Sequence, residues 1–230
     1  LNGADEEKMD FETARTKMVD NQIRTTDVTS HSILTAFLSV PREAFVPDRL
    51  KPLAYIDTDM EVLPAASGQP PRYVMQASPL AKLLQLAGVT KDDSVLVVGS
   101  AEGYAAAVLS LVAGSVVALE SDEALAAHSA QTLASLGYAN VSVVRGDLER
   151  GNRAGAPYDL IFVNGAVEEI PSALLDQLAE RGRLVAVEGY GNASRAVVVT
   201  RERGAFSEAY YFNTAVKPLP GFRKAKEFVF

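Results

Sequence analysis

The stretch Ser94–Val98 constrains the fold most, because five consecutive and mainly apolar residues suit a strand that is buried on both faces. A turn with glycine at both ends, Gly99–Gly103, follows it and leads into a helix of small residues from Tyr104 to about Val112. In parallel α/β sheets such a turn brings backbone close to a ligand and presents helix N-terminal amides to it.

Strands and helices alternate from this point onward. The alternation predicts a doubly wound, Rossmann-like α/β fold with a mostly parallel sheet of about seven strands. No helix separates the last two strands, so we expect one of them to enter antiparallel as a hairpin. The predicted strands are 94–98, 116–119, 141–144, 158–163, 183–187, 195–200 and 208–212, and the predicted helices between them are 104–112, 122–136 and 171–180.

The preceding part of the chain has a different character. Amphipathic periodicity predicts helices over 11–23 and 29–38. The proline-rich stretch 41–77 predicts ordered loop with short turns. We interpret Ser78 as the N-cap of a further helix that ends at Gly88.

These patterns divide the chain into three parts. Residues 1–8 are polar and aperiodic, and we interpret them as a disordered leader. Residues 9–92 form an N-terminal extension of helices and proline-rich loop that packs on the core. Residues 93–230 form the Rossmann-like core, and we expect the segment Pro218–Phe222 to pack on the sheet edge or on residues 41–77.

Composition excludes several kinds of site. The 230 residues include no cysteine and only two histidines, His31 and His128, which argues against thiolate or multi-histidine metal sites. The net charge of −7, with no basic cluster, argues against a nucleic-acid partner or an anionic membrane. No apolar run approaches about 18 residues, and no targeting signal is evident, so we expect a cytoplasmic protein without a membrane partner.

Polar residues follow three consecutive predicted strands. The glycine turn follows the first, Glu120 ends the second and Gly146-Asp147 follows the third. In open α/β sheets ligands bind at this edge, where a carboxylate can accept hydrogen bonds from both ribose hydroxyls and an aspartate can meet an adenine amino group. The three features together predict a nucleoside-type ligand. Separately, each also suits a tight turn, a helix-capping acid or an Asx turn.

The glycine spacing argues against a nicotinamide or flavin. A dinucleotide fingerprint needs glycine at the first, third and sixth positions, which are Gly99, Ala101 and Tyr104 here. The methyltransferase pattern has glycine at the first, third and fifth positions, and Gly99 and Gly103 satisfy it while Ala101 does not.

With these residues in view, the chain resembles the protein-L-isoaspartate O-methyltransferase family. The resemblance extends from about Met18 to Gly189, and the Val-Pro-Arg-Glu-x-Phe-Val-Pro stretch is more specific than the glycine turn. The matching stretches are Met18–Ile23, Val40–Pro47, Ala54–Asp57, Leu63-Pro64, Val95–Gly99, Gly103-Tyr104, Val117–Glu120, Leu136–Val141, Gly146-Asp147, Ala156–Asp159, Ile170-Pro171, Gln177-Leu178 and Gly182–Val185.

The resemblance implies methyl transfer from S-adenosylmethionine to an isoaspartyl carboxylate of a peptide or protein, with S-adenosylhomocysteine as the product. It places the reacting methyl group beside Met75, Gln76 and Ser78, around the position of a family serine. It assigns cofactor contacts to Gly99, Ser100, Ala101, Gly103, Tyr104, Glu120, Ser121, Gly146, Asp147, Leu148 and Asn164, and it implies no metal.

Three departures from the family pattern fall in one pocket. The family serine is replaced by Met75 in an alignment through Gln76, and by Ala77 in an alignment through Pro79. The family has an acidic residue two positions before the first glycine of the turn, and Val97 replaces it here. Ala101 replaces the middle glycine, and alanine disfavours positive φ.

These departures leave three functions open. They are methylation of isoaspartyl peptides, methylation of another acceptor, and a binding or regulatory role without catalysis. Arg72 or backbone amides near Gln76 are candidates to hold an anionic acceptor, although a loop arginine is more often solvated.

Overall fold

The structure is a computed structural model, and it describes residues 9–66 and 70–222. The strands are β1 (Met60–Leu63), β2 (Arg72–Val74), β3 (Ser94–Val98), β4 (Ser115–Glu120), β5 (Val141–Arg145), β6 (Tyr158–Val167), β7 (Leu178–Glu188), β8 (Arg195–Glu202) and β9 (Ala205–Asn213).

The α-helices are α1 (Phe11–Met18), α2 (His31–Ser39), α3 (Ala77–Ala87), α4 (Tyr104–Ser110), α5 (Glu123–Ser135) and α6 (Ser172–Leu175). A π-helix, Val19–Ile23, continues α1. Short 3₁₀ helices occur at Arg24–Thr26, Arg42–Phe45, Asp48–Leu53, Leu148–Arg150, Arg153–Gly155 and Gly191–Ala193. No helix among the described residues is both long and apolar enough to cross a bilayer.

The main sheet has seven strands in the order β5-β4-β3-β6-β7-β8-β9. The strands from β5 to β7 pair in parallel, and β8 and β9 add by antiparallel pairing. Val95 and Val97 pack into the core on one face of the sheet, whereas Leu96 and Val98 pack into the core on the other. The predicted Rossmann-like fold, the doubly buried first strand and the terminal hairpin are therefore confirmed.

The strand order reverses between β3 and β6. From β3 the chain moves outward through β4 and β5 and then returns to place β6 on the other side of β3. A crevice for a ligand forms at such a point, outside the carboxyl ends of the strands. The Gly99–Gly103 turn lies at this point, directly after β3.

The helix predicted over 171–180 is wrong in length. Its α-helical part is confined to Ser172–Leu175, and β7 begins at Leu178. The backbone carbonyl of Gln177 accepts a hydrogen bond from Tyr158 N at 2.9 Å, so this residue already joins the sheet. Sheet pairing has overridden the helical periodicity.

The interpretation of Ser78 as a helix N-cap is also wrong. The N-cap of α3 is Gln76, so Ser78 lies inside the first turn. Its hydroxyl donates to Gln22 O at 3.0 Å and to Asp57 Oδ1 at 2.9 Å. Ser78 thus ties two segments of the N-terminal extension together.

The proline-rich stretch is more regular than its composition predicted. Besides two 3₁₀ helices it contains β1, and β2 pairs with β1 in an antiparallel two-stranded sheet. This small sheet places Arg72 at the start of β2. The leader predicted over residues 1–8 lies outside the described residues.

The segment from Val216 to Phe222 crosses the carboxyl ends of the main strands. Ala166 N donates to Lys217 O and Leu219 N donates to Ala166 O, both at 2.9 Å. The side chains of Leu219 and Phe222 are buried in the core cluster that contains Leu96 and Val98. The expected packing of this segment on the sheet edge is confirmed.

Candidate cofactor and acceptor site

The turn after β3 curls tightly around the end of β4. Gly99 and Gly103 have φ of 79° and 94°, in the region that favours glycine. Gly99 N and Ser100 N both donate to Leu119 O, at 2.9 and 3.0 Å. Ala101, between the two glycines, has φ of 48° and is buried. The alanine therefore adopts a left-handed backbone conformation that suits glycine, and its Cβ makes that conformation costly.

Replacing Ala101 with glycine should therefore stabilise the protein by about 1 kcal/mol, because relief of left-handed strain outweighs the added freedom of the unfolded chain. Urea unfolding of the wild type and the variant measures this difference. Ala113→Gly is the control, because Ala113 is equally buried and is absent from the positive-φ residues. An Ala101→Gly variant less stable than the wild type would contradict the strain.

Glu120 lies at the end of β4 and is completely buried. Oε2 of Glu120 accepts from Ala101 N at 2.7 Å, and Oε1 accepts from Ser121 N at 2.8 Å and Asp122 N at 3.1 Å. The carboxylate is therefore fixed by backbone amides of the glycine turn and of the residues that begin α5. Its position at the strand end is the one predicted for a ribose-binding acid.

Arg72 occupies the remaining side of that carboxylate. Its Nη2 lies 2.8 Å from Glu120 Oε2, and its Nη1 contacts Glu120 Oε1, which makes a bidentate ion pair. Arg72 is itself buried, with 4% of its surface exposed. The interpretation of Arg72 as a solvated loop residue is therefore wrong, because the small β1–β2 sheet directs it into the crevice.

Leu219 lies directly against the glycine turn. A Cβ built on Gly99 would lie 2.6 Å from Leu219 Cδ2, and one built on Gly165 would lie 2.7 Å from Leu219 Cγ. The Asn164 side chain closes the same place by donating from Nδ2 to Gly99 O at 2.9 Å. The leucine fits there because two glycines leave room for it.

Little free space remains at the predicted methyl-transfer position. The cavity that Arg72, Met75, Asn164 and Leu219 help to line has a volume of about 10 Å³. That is about the space of one water molecule, whereas ligand pockets usually measure about 300–1,000 Å³. In the state described, the chain's own side chains fill this part of the crevice.

The predicted catalytic positions are close together and are held by backbone contacts. Met75 is buried beside this cavity, and its carbonyl accepts from Arg42 Nη2 at 2.8 Å. Gln76 N donates to Asp59 Oδ1 at 2.9 Å. The amide that was a candidate to bind an anionic acceptor is therefore already paired with a carboxylate of this chain.

Arg42 is a positioning residue that sequence reasoning missed. It is completely buried, its Nε donates to Ala54 O at 2.9 Å, and its guanidinium lies 4.7 Å from the ring centroid of Tyr104. Burial lowers the pKa of Arg42 and raises the pKa of Tyr104 to about 12. The available signal was the Val-Pro-Arg-Glu-x-Phe-Val-Pro stretch, in which Arg42 is the only basic residue.

A second residue that sequence reasoning missed is the acid Glu102, inside the glycine turn. It is buried and contacts Nδ1 of His128 on α5. Burial raises the pKa of Glu102, against the opposing effect of His128. The turn therefore carries one buried acid, Glu102, and a second, Glu120, lies near it at the end of β4.

The remaining predicted cofactor residues follow β3 and β5 or lie within β6. Gly146 N donates to Glu120 O at 3.0 Å, and Leu148 is buried. The Asp147 side chain is 62% exposed and pairs with Arg150 at 3.3 Å. Ser100 Oγ and Asn164 Oδ1 are buried and have no hydrogen-bond partner among the described residues. Polar groups that could meet a ligand are therefore present directly after β3 and β5 and within β6.

The sheet order, the glycine turn at its reversal point and the buried acid at the end of β4 define a Rossmann-like methyltransferase fold. The chain belongs to the protein-L-isoaspartate(D-aspartate) O-methyltransferase family, whose model matches residues 13–220. This confirms the family predicted from the sequence and, with it, the methyltransferase class.

Curated relatives and a solved structure agree with this assignment. The Protein-L-isoaspartate O-methyltransferase 2 of Anaeromyxobacter sp. (strain Fw109-5) is 41% identical over 83% of this chain and 76% of its own length. The corresponding protein of Koribacter versatilis is 36% identical over 92% of both chains. A solved protein-L-isoaspartate O-methyltransferase superposes with a TM-score of 0.78 and 28% identity, over 90% of this chain and 66% of its own.

A more distant structure supports the fold. It comes from Plasmodium falciparum, contains S-adenosyl-L-homocysteine and superposes with a TM-score of 0.73 over 89% of this chain and 97% of its own, at 19% identity.

Proposed function

We propose that this protein is an S-adenosylmethionine-dependent methyltransferase that acts on an isoaspartyl carboxylate in peptides or proteins. The observation that carries the proposal is the buried Glu120 carboxylate at the end of β4, oriented by the amides of Ala101, Ser121 and Asp122. A fixed acceptor at this edge of a Rossmann-like sheet suits a ribose diol. The choice of methyl transfer to an isoaspartyl carboxylate as the reaction rests on membership of the protein-L-isoaspartate O-methyltransferase family.

The polar groups of the crevice fit the nucleoside of the cofactor. Glu120 would accept from the ribose hydroxyls, and Gly146, Asp147 and Leu148 would border the adenine. The turn over 99–103 and Asn164 would meet the methionine end, where two buried polar atoms have no partner among the described residues. The crevice has room for the cofactor only after Arg72 and Leu219 have moved from the positions described above.

When bound, S-adenosylmethionine would supply a sulfonium-bound methyl group that a carboxylate oxygen can accept, with the carbon–sulfur bond breaking and neutral S-adenosylhomocysteine leaving. An isoaspartyl carboxylate is already ionised at neutral pH, so the protein needs no strong general base. Its task is to hold the acceptor in line and to exclude water. Arg42 serves this task through the carbonyl of Met75, because that hydrogen bond fixes the segment beside the predicted methyl position.

The test is transfer of a labelled methyl group from S-adenosylmethionine to an isoaspartyl peptide. The same peptide with an ordinary aspartate is the control acceptor. We expect base-labile label in the isoaspartyl peptide and at least tenfold less in the control. No label above the control at high enzyme concentration and millimolar cofactor would contradict the proposal.

A second candidate is a binding or regulatory protein that kept the fold without catalysis. The Arg72–Glu120 ion pair and the strained Ala101 favour it, because both stand where a cofactor would bind. Methyl transfer to any acceptor would exclude it. The cytoplasmic location stays a prediction.

A further inference from the structure

Two side chains of this protein stand at the place that the proposed function assigns to the cofactor. Arg72 is paired with both oxygens of Glu120, and Leu219 is packed on Gly99 and Gly165. We infer that Arg72 and Leu219 are built-in competitors of the cofactor, so that the nucleoside binds only after Arg72 leaves Glu120 and Leu219 leaves the glycine turn. This inference rests on the proposed function, because it names the regulation of the same pocket.

The ion pair makes Arg72 a direct competitor of the ribose. Both oxygens of Glu120 already accept from Arg72 and from backbone amides, so the ribose hydroxyls must replace the guanidinium. A bidentate, charge-assisted pair is stronger than hydrogen bonds from neutral hydroxyls. A buried guanidinium that loses its carboxylate must also find another anion or reach water.

Leu219 closes the same point from the other side. A Cβ on Gly99 would lie 2.6 Å from Leu219 Cδ2 and 3.4 Å from Arg72 Nη2, so both side chains converge on one glycine. The backbone of Ala166 holds Leu219 through one hydrogen bond to it and another to the carbonyl of Lys217. The two occupants therefore belong to different segments and meet at the first glycine of the turn.

The structure also offers a place for the displaced guanidinium. A neighbouring cavity of about 130 Å³ is lined by Leu63, Pro70, Arg72, Ser121, Asp122 and Pro220. Asp122 can supply the new anionic partner there. Pro220, next to Leu219, borders the same cavity. A shift of the segment 216–222 and a rotation of the Arg72 side chain would therefore both change the shape of this cavity.

Calorimetric titration with S-adenosylhomocysteine tests the inference without turnover. The variants are Arg72→Gln, which removes the charge that competes for Glu120, and Leu219→Ala, which uncovers Gly99. Val216→Ala is the matched control, because Val216 is a buried residue of the same segment in the opposite core cluster. We expect each competitor variant to bind at least tenfold more tightly than the wild type, and Val216→Ala to stay within twofold of it.

Equal affinities in the wild type and the competitor variants, weaker binding in Leu219→Ala, or no binding by any protein at millimolar ligand would overturn the inference. Urea unfolding identifies a variant that has lost its fold, and Leu219→Ala decides the question if Arg72→Gln does so. Different results would contradict the proposed function and the proposed competition. Tighter binding without methyl transfer would leave the competition intact, whereas transfer with equal affinities would remove the competition alone.

Discussion

Replacing Glu120 with glutamine should lower the free energy of unfolding by about 3–5 kcal/mol, the usual cost of removing one partner of a buried ion pair. Glutamine keeps the size of the side chain but leaves the Arg72 guanidinium buried without its anion. The amides of Ala101, Ser121 and Asp122 also lose a charged acceptor. Urea unfolding measures the loss.

Glu123→Gln is the control for this substitution. Glu123 pairs with Arg145 at 3.1 Å, but the two side chains are 78% and 61% exposed. An exposed pair of this kind contributes about 0–1 kcal/mol. The double variant Arg72→Met with Glu120→Gln should recover part of the loss, since it leaves no buried charge and the glutamine oxygen can still accept from the backbone amides. A loss below about 1 kcal/mol in Glu120→Gln would show that the pair is open to water in solution.

Gly99→Ala should destabilise the protein by about 2–5 kcal/mol, because two costs combine at this position. The residue has φ of 79°, and its new Cβ would lie 2.6 Å from Leu219 Cδ2. In a Leu219→Ala background the steric cost should disappear and only the cost of positive φ should remain. Thermal or urea unfolding of the wild type, Gly99→Ala, Leu219→Ala and the double variant separates the steric cost from the cost of positive φ.

Gly137→Ala isolates the backbone term. Gly137 has φ of 80°, and nothing lies within 4 Å of a Cβ built on it. Its cost should be about 1–2 kcal/mol, the strain of a left-handed residue alone. If Gly99→Ala cost no more than Gly137→Ala, Leu219 would not be seated on the turn in solution.

The sheet was predictable because its information is local. Each parallel strand is a short apolar run, and a strand buried on both faces must be apolar at successive positions, as Val95–Val98 shows. The position of Glu120 at the end of β4 followed from the same reasoning. A sequence pattern that predicts the end of a strand also predicts the position of the polar residue beside that end.

The occupants of the crevice were not predictable, because they come from segments far along the chain. Arg72 lies 48 residues before its partner Glu120, on a strand within a proline-rich stretch whose pairing with β1 has no strong local signal. Leu219 contacts Gly99 because the segment 216–222 is held against the sheet by its backbone hydrogen bonds to Ala166. Local patterns predict elements, and these contacts depend on how the elements assemble.

The helix predicted over 171–180 failed for a related reason. Its apolar spacing fits a helix, yet Gln177 pairs with β6 and its side chain donates to Arg150 O at 2.8 Å. Contacts outside the segment ended the helix at Leu175. Ala101 shows the opposite case, since its unfavourable backbone was predictable from its place in a glycine pattern.

The most direct measurement is a crystal structure of the Leu219→Ala variant with bound S-adenosylhomocysteine. If Arg72 competes with the nucleoside, the ribose hydroxyls will lie on Glu120, and the guanidinium will have left that carboxylate for the cavity beside Asp122. A bound nucleoside together with an intact Arg72–Glu120 pair would contradict the competition. It would show that the family's ribose contact is made elsewhere in this chain.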